Sequence, residues 1–509
     1  MRQTPEATAI FKDSLFDKQD FTLTFELVPG RGSGGKRLER ILDFAGAART
    51  DGRIKALSIT DNPGGHPALS PTPLGLEIHE IGIEPLIHFS LKDKNRNMAE
   101  SQLFECHRHG LQSLLVLGGD YPRYGFQGQA MPVFDLDSVQ LLDLISHLRH
   151  SGSLEKEAPG GRMELQPMDF LAGCVVSPFK TREDEQVFQY RKLLSKVQSG
   201  ANFIISQLGF DMDKYRELIR FCQNSQLNQP LMANIFIPSL PVAMIMNRGQ
   251  VPGVLFPDRL LQIMEQEATT RDRGDEARLL RAAKMIAIIK GMGYDGVHVG
   301  GNNLNFDKIS FVLDQAESFG TNWRDLEQEV HFPAEKTWYF YGSQSPRGTT
   351  TRPSRYLLNK LIHDSVFEQD GPLFSANERL ARWSSKTPTR YRIYTLIEAC
   401  IKKILFRCRM CGDCTLAESG YLCPQSGCPK RMINGPCGGS LDGWCEVYPK
   451  ERLCFWVRVY KQEARGRHTQ KISPCPHLPP KDWNLHTRSS WINYFTGRDH
   501  HKLNDKDNP

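Results

Sequence analysis

The first 330 residues of the chain repeat one rhythm, and that rhythm limits the fold more than any other feature. A short apolar run rich in β-branched residues is followed by a polar turn and then by an amphipathic helical stretch. Eight such runs can be read: Phe21–Pro29, Ile54–Asp61, Glu84–Ser90, Ser113–Asp120, Phe170–Pro178, Phe203–Phe210, Leu231–Ser239 and Gly296–Asn303. They are nearly continuous in apolar residues, as parallel strands covered by helices must be. Helices are predicted between them over Arg37–Thr50, Arg96–Gly110, Asp135–His150, Arg182–Gly200, Met212–Asn224 and Asp275–Gly293. In the fourth of these, Val187, Tyr190, Leu194 and Val197 recur at helical spacing. The expectation is a (β/α)8 TIM barrel, with a doubly wound open sheet as the structural alternative.

A length of 509 residues leaves room for more than a barrel. Residues 331–390 are rich in Ser, Thr, Pro, Arg and aromatics, and read as a connector packing partly on the barrel through Trp338–Tyr341. Residues 391–462 open with a predicted amphipathic helix (Tyr391–Phe406) that runs into a cysteine cluster, and residues 463–509 read as a polar, solvated tail. The net charge of +6 is small and spread thinly, so neither composition nor motif points to nucleic acid. No run approaches the ~20 apolar residues needed to span a bilayer, and the N-terminus has no signal-peptide pattern, so a cytoplasmic protein with no membrane role is expected.

The active face of such a barrel is built from the C-terminal ends of its strands. Polar residues interrupt the apolar runs there: Glu26 in FELVPG, Thr60 and Asp61 in SITDNP, His88 in LIHFS, Asp120 in VLGGD, and Gln207 and Asp211 in IISQLGFD. One such residue means little, but a set at equivalent ends of different strands suits a polar heterocycle and proton transfer. The set lacks the paired-histidine spacing of a zinc site. Gly30–Lys36 (GRGSGGK) imitates a phosphate-binding P-loop, but Arg37 stands where the magnesium-binding hydroxyl belongs, and a flexible loop after the first strand is the reading.

Eight of the thirteen cysteines lie between Cys408 and Cys454. Without an export signal, such clustering suggests metal ligation rather than disulfides. Cys408-x2-Cys411-x2-Cys414, followed by Cys423-Pro and Cys428-Pro, is closer to a ferredoxin-type [4Fe–4S] run than to the paired CxxC of zinc ribbons. With Cys437, Cys445 and Cys454 the set has enough thiols for two clusters, or for one cluster and one zinc.

Taken together, the segments at Glu26, Thr60 (LSITD), His88, Asp120 (LGGD) and Gln207 (GANFIISQLGFD) resemble the methylenetetrahydrofolate reductase family over roughly residues 20 to 320. That resemblance implies a flavin barrel passing a hydride between flavin and a tetrahydrofolate, interconverting 5,10-methylene- and 5-methyltetrahydrofolate. It implies Glu26 as general acid, Asp120 as the group beside pterin and flavin, and Gln207 as the amide orienting the pterin. It further implies Thr60 and His88 against the flavin and Lys196 on its phosphate. The stretch 390–462, with its NGPCGGS core, resembles the small partner subunit of acetogen-type reductases of this family, here fused behind the barrel. The electron donor implied is NAD(P)H or a redox protein. Departures at Gly118, where many members carry Arg, at Val176 and Ser177, and in VHVGGNN leave FAD with FMN as its alternative. Oxidation of methyltetrahydrofolate in a demethylation pathway and a non-catalytic folate-binding or electron-transfer adaptor are the other readings. A homo-oligomer is possible on this sequence.

Overall fold

The computed structural model describes residues 6–150, 153–155, 162–335, 337–342, 354–463 and 478–502. Cys475 and part of the terminal segment read as a tail lie outside the described residues. All eight expected strands form: β1 Thr22–Leu27, β2 Ile54–Ile59, β3 Glu84–Ser90, β4 Ser113–Leu117, β5 Leu171–Val176, β6 Phe203–Ser206, β7 Leu231–Ile237 and β8 Gly296–Gly301. Each pairs in parallel with its neighbours in chain order, and β1 closes on β8 from Thr22↔Gly296 to Phe25↔Val299. The closed ring excludes the open-sheet alternative. Sequential order is what short strand–helix–strand connections between neighbouring parallel strands produce.

Two apolar layers hold the ring. The outer one lies between strands and helices; Phe44, Leu103, Leu142, Tyr190, Leu218 and Ile288 enter it from the helices. The inner one fills the lower half of the barrel with Ala56, Leu86, Leu115, Leu171, Phe203, Ile205 and Met232. Phe11 and Leu15, from an additional helix (Glu6–Phe16), complete this inner layer, with Phe11 edge-on to Phe203 at 6.1 Å. Ser14 Oγ lies 2.9 Å from Thr22 Oγ1 at the start of β1, so this helix plugs the N-terminal end and leaves the other end to the polar residues.

The C-terminal part folds back over the barrel. Helix Phe455–Glu463 buries Phe455, Trp456, Val457 and Val459 against Val187 and Phe188 of the barrel helix Glu183–Gln198 and against Trp338. Trp338 N donates there to Thr181 O at 3.0 Å and Tyr339 OH to Asp211 at 2.8 Å. Beyond it come helices Ser354–Val366, Phe374–Ser385 and Pro388–Phe406, with Leu361, Leu396 and Ile404 exposed. The reading of residues 463–509 as a solvated tail needs correction where the structure describes them. Ile492 and Phe495 are buried against Ala381, and the buried carboxylate of Glu398 accepts Ser490 Oγ at 2.6 Å and Ser490 N at 3.1 Å. A polar composition hid an anchored segment, because its few apolar residues are divided among separate contacts: Trp483 on the barrel core, Leu478 on the Trp456 cluster, and Ile492 with Phe495 on Ala381. Among the described residues, no helix is long and apolar enough to cross a membrane.

Candidate active site

Glu26, Thr60, Asp61, His88, Asp120, Lys196 and Gln207 line one cavity of about 280 Å³ at the C-terminal mouth of the barrel. Asp211 does not join them. It caps the helix Met212–Asn224, accepting from Asp213 N at 3.0 Å. The GRGSGGK stretch forms an exposed turn outside the cavity, with Arg37 Nε bonded to Val28 O at 3.1 Å.

Each side chain is placed by its strand end. Gly119, just after β4, has φ +81°, and a Cβ there would sit 2.1 Å from Ser90 Oγ, so only glycine makes the turn that presents Asp120. Asp120 accepts from Gly64 N at 2.9 Å. Burial, then the nearby Glu446 carboxylate, raises its carboxyl above the ordinary range, against the pull of Lys430. Lys196 reaches from its helix to Val175 O at 2.5 Å, and burial lowers its ammonium to about 8. Gln207 turns its Oε1 onto Leu208 N at 3.0 Å.

Sequence reasoning missed His298. It sits mid-strand in VHVGG, where a lone histidine among apolar neighbours reads as core. Its Nδ1 lies 2.8 Å from Thr24 Oγ1 and its Nε2 4.0 Å from Glu26 Oε2, and its ring is 6.4 Å from that of His88. Burial raises the Glu26 carboxyl, but His298 and His88 outweigh it, and the group is held below its ordinary value. The poise near neutrality expected of an acid is therefore not met by Glu26 alone. Burial drives His88 down to about 4, so its ring is neutral. Ligand-type atoms of Glu26, His88 and His298 lie within 4.8 Å of one another, a carboxylate–imidazole group that the linear sequence did not reveal.

The second unexpected feature is a roof. Lys430, Met432, Pro436, Cys437, Gly438, Gly439 and Glu446 of the cysteine-rich segment line the same cavity. Lys430 Nζ donates to Gly119 O at 2.9 Å and to Glu446 at 2.6 Å, and Tyr121 N donates to Glu446 at 3.0 Å. Two barrel lysines hold the NGPCGGS loop by its carbonyls: Lys180 on Gly438 O at 2.6 Å and Lys192 on Gly435 O at 3.1 Å. The backbone there is reachable because Gly435 and Gly438 carry φ of 121° and 92°.

The thiols divide into two groups of four. Cys408, Cys411, Cys414 and Cys423 surround one small cavity, and the buried Lys402 ammonium lies 3.3 Å from Cys414 Sγ. Cys428, Cys437, Cys445 and Cys454 form the other, each close enough to another of the set to perturb it electrostatically. Cys437 also faces the barrel cavity. The spacing showed the triplet; that Cys423 joins it, and that the remaining four form a set, depends on loop geometry.

The cavity walls are rich in unmet polar groups. Thr60 Oγ1, His88 Nε2, Ser90 Oγ, Ser177 Oγ, Gln189 Nε2 and Asn234 Oδ1 are buried there without a hydrogen-bond partner among the described residues. Such atoms are costly unless a polar ligand satisfies them.

Comparisons with known proteins agree with this geometry. Residues 12–308 match the family described as methylenetetrahydrofolate reductase, and residues 388–484 match the one described as methylene-tetrahydrofolate reductase C terminal. Methylenetetrahydrofolate reductase 1 of Schizosaccharomyces pombe is 22% identical over 53% of the chain. A probable methylenetetrahydrofolate reductase (NADPH) of Caenorhabditis elegans is 24% identical over 36%, and methylenetetrahydrofolate reductase (NADH) 1 of Arabidopsis thaliana 25% over 44%. The matches span 42%, 25% and 36% of those relatives' own lengths. With more than half of its length matched by the family, the chain belongs to the methylenetetrahydrofolate reductases.

Proposed function

We propose that the barrel catalyses flavin-mediated hydride transfer between 5,10-methylene- and 5-methyltetrahydrofolate. The observation that carries this reading is the buried, unsatisfied polar lining of the mouth, set on family-matched strand ends. The residues fit a flavin: Thr60 Oγ1 and His88 Nε2 offer hydrogen bonds to its ring system, and Lys196 a charge for its phosphate. When bound, that group supplies the hydride. FAD is the reading, with FMN separated from it by analysis of the extracted cofactor.

The chain's own residues hold the pterin and move the proton. Gln207 orients the pterin, and Asp120, its carboxyl raised, accepts or shares a proton at the ring edge. Glu26 must gain a proton before it passes one to the folate nitrogen, and the His298 ring 4.0 Å from its carboxylate is placed to relay it. Gly118 leaves open space where a side chain would point into the mouth, and Lys430 enters nearby from the roof, providing a cation next to Asp120.

The two four-cysteine groups fit [4Fe–4S] clusters, which supply one-electron transfer. Cys437 of the second group lines the cavity and Lys402 sits beside the first, an arrangement that supports a redox protein as electron donor over NAD(P)H. Iron and sulfide analysis distinguishes clusters from zinc. The exposed apolar helices that carry Leu361 and Leu396 support a homo-oligomer, which native mass measurement tests.

The first test is to purify the protein without oxygen and add 5-methyltetrahydrofolate. Bleaching of the oxidised flavin absorbance is expected. A flavin that methyltetrahydrofolate leaves unchanged overturns the folate assignment, and a preparation with no flavin overturns the enzyme reading.

A further inference from the structure

The last described turn of the chain, Asp499-His500-His501, lies against the loop that follows the first cysteine triplet. His500 Nδ1 is 2.5 Å from Asp413 Oδ1, and His501 Nδ1 is 3.3 Å from Asp499 Oδ2. These contacts turn both Nε2 atoms toward one carboxylate. Glu418 Oε1 lies 3.5 Å from His500 Nε2 and 2.7 Å from His501 Nε2, and the two ring centroids are 4.0 Å apart. Among the described residues, His500 Nε2 and Glu418 Oε2 are buried with no hydrogen-bond partner, on side chains only 10% and 11% exposed.

An imidazole aimed by Nε2, with its Nδ1 held on a carboxylate, is how metal sites fix tautomer and orientation. Here the arrangement occurs twice, around a shared third carboxylate. Tetrahedral bonds of ~2.0–2.1 Å put donor atoms about 3.3 Å apart, and the two observed separations bracket that value. Two nitrogens and a carboxylate suit zinc-like ions, whereas calcium takes six or more oxygens.

We propose that Glu418, His500 and His501 form a binding site for a divalent cation of the zinc class, with Asp413 and Asp499 as positioning residues. The site contains no thiol and is separate from both cysteine groups. Filled, it clips residues 499–501 to the 413–418 loop, bracing the segment between Cys414 and Cys423. Three protein ligands leave a fourth position for water.

The test uses the anaerobically purified full chain, incubated with zinc and desalted, alongside a His500→Ala/His501→Ala double variant. The wild type is expected to keep one more zinc per chain than the variant at equal iron. Its zinc X-ray absorption should include a nitrogen/oxygen shell at ~2.0–2.1 Å with imidazole scattering. Equal zinc in both proteins, or a shell of sulfur alone at ~2.3 Å, overturns the site. Should the double variant fail to fold, Glu418→Gln replaces it, and the wild-type spectrum alone still decides the matter.

Discussion

Two places among the described residues gather the same trio, one glutamate and two histidines within 4.8 Å, and they behave in opposite ways. At the barrel mouth, Glu26 faces His88 and His298, and burial drives His88 down to about 4. At the end of the chain, Glu418 faces His500 and His501, and these rise to about 10 and about 9 despite burial. The difference lies behind the rings. Asp413 and Asp499 back the terminal pair, whereas His298 is backed by a hydroxyl, Thr24, and His88 Nε2 has no partner. Backing carboxylates make imidazoles basic, and burial without one keeps His88 neutral. A cation of the zinc class must displace the protons of the terminal pair before it binds, whereas His88 at the mouth carries none to displace.

The comparison can be broken most severely at Glu26. Glu26→Gln should lower folate turnover by ~10²–10⁴-fold, the range of a general acid, while flavin content stays at the wild-type level. Turnover within a few-fold of wild type would mean that the mouth cluster is as static as the terminal one.

The next largest effect is expected at Lys430, the cation the mouth borrows from the roof. Lys430→Met leaves Glu446 buried and unpaired, which should cost about 3–5 kcal/mol in denaturant unfolding. A loss under about 1 kcal/mol would show that water reaches the pair and the roof is loose.

His88 sharpens the contrast through pH. Its folded value lies below the unfolded one, so between 6.5 and about 4 the unfolded chain binds the extra proton and stability falls as pH falls. The loss should reach about 3 kcal/mol by pH 4, at 1.36 kcal/mol per unit. His88→Gln should flatten that part of the stability-against-pH curve, and an unchanged slope would assign the acid sensitivity elsewhere.

The smallest effect belongs to Thr24. Thr24→Val removes the bond that orients His298 and should cost about 1–2 kcal/mol. The pH profile of turnover should shift with it, which loss of packing alone would not produce.

How much of this was legible depended on whether a signal is local. Strand runs, helix periodicity and strand-end polar residues are local, so the barrel and most of its mouth could be read. His298 could not, since in a buried strand a histidine has no pattern to distinguish it from core. The roof was invisible because Lys430 and Gly119 are 311 positions apart and meet only through tertiary docking. Asp211 had the right position for the wrong reason: the end of a strand is also where the next helix needs its cap. The terminal histidines read as solvated because nothing in the sequence near them shows Asp413 or Glu418 arriving from elsewhere.

The roof also has a consequence in time. The barrel core is complete in sequence at Phe332, but its cover begins at Lys430. At the ~5–20 residues per second of synthesis, the intervening stretch takes on the order of ten seconds. For that interval the newly folded barrel stands open, with its unsatisfied polar wall facing water. Docking of the roof is therefore a separate, later event in the life of each molecule.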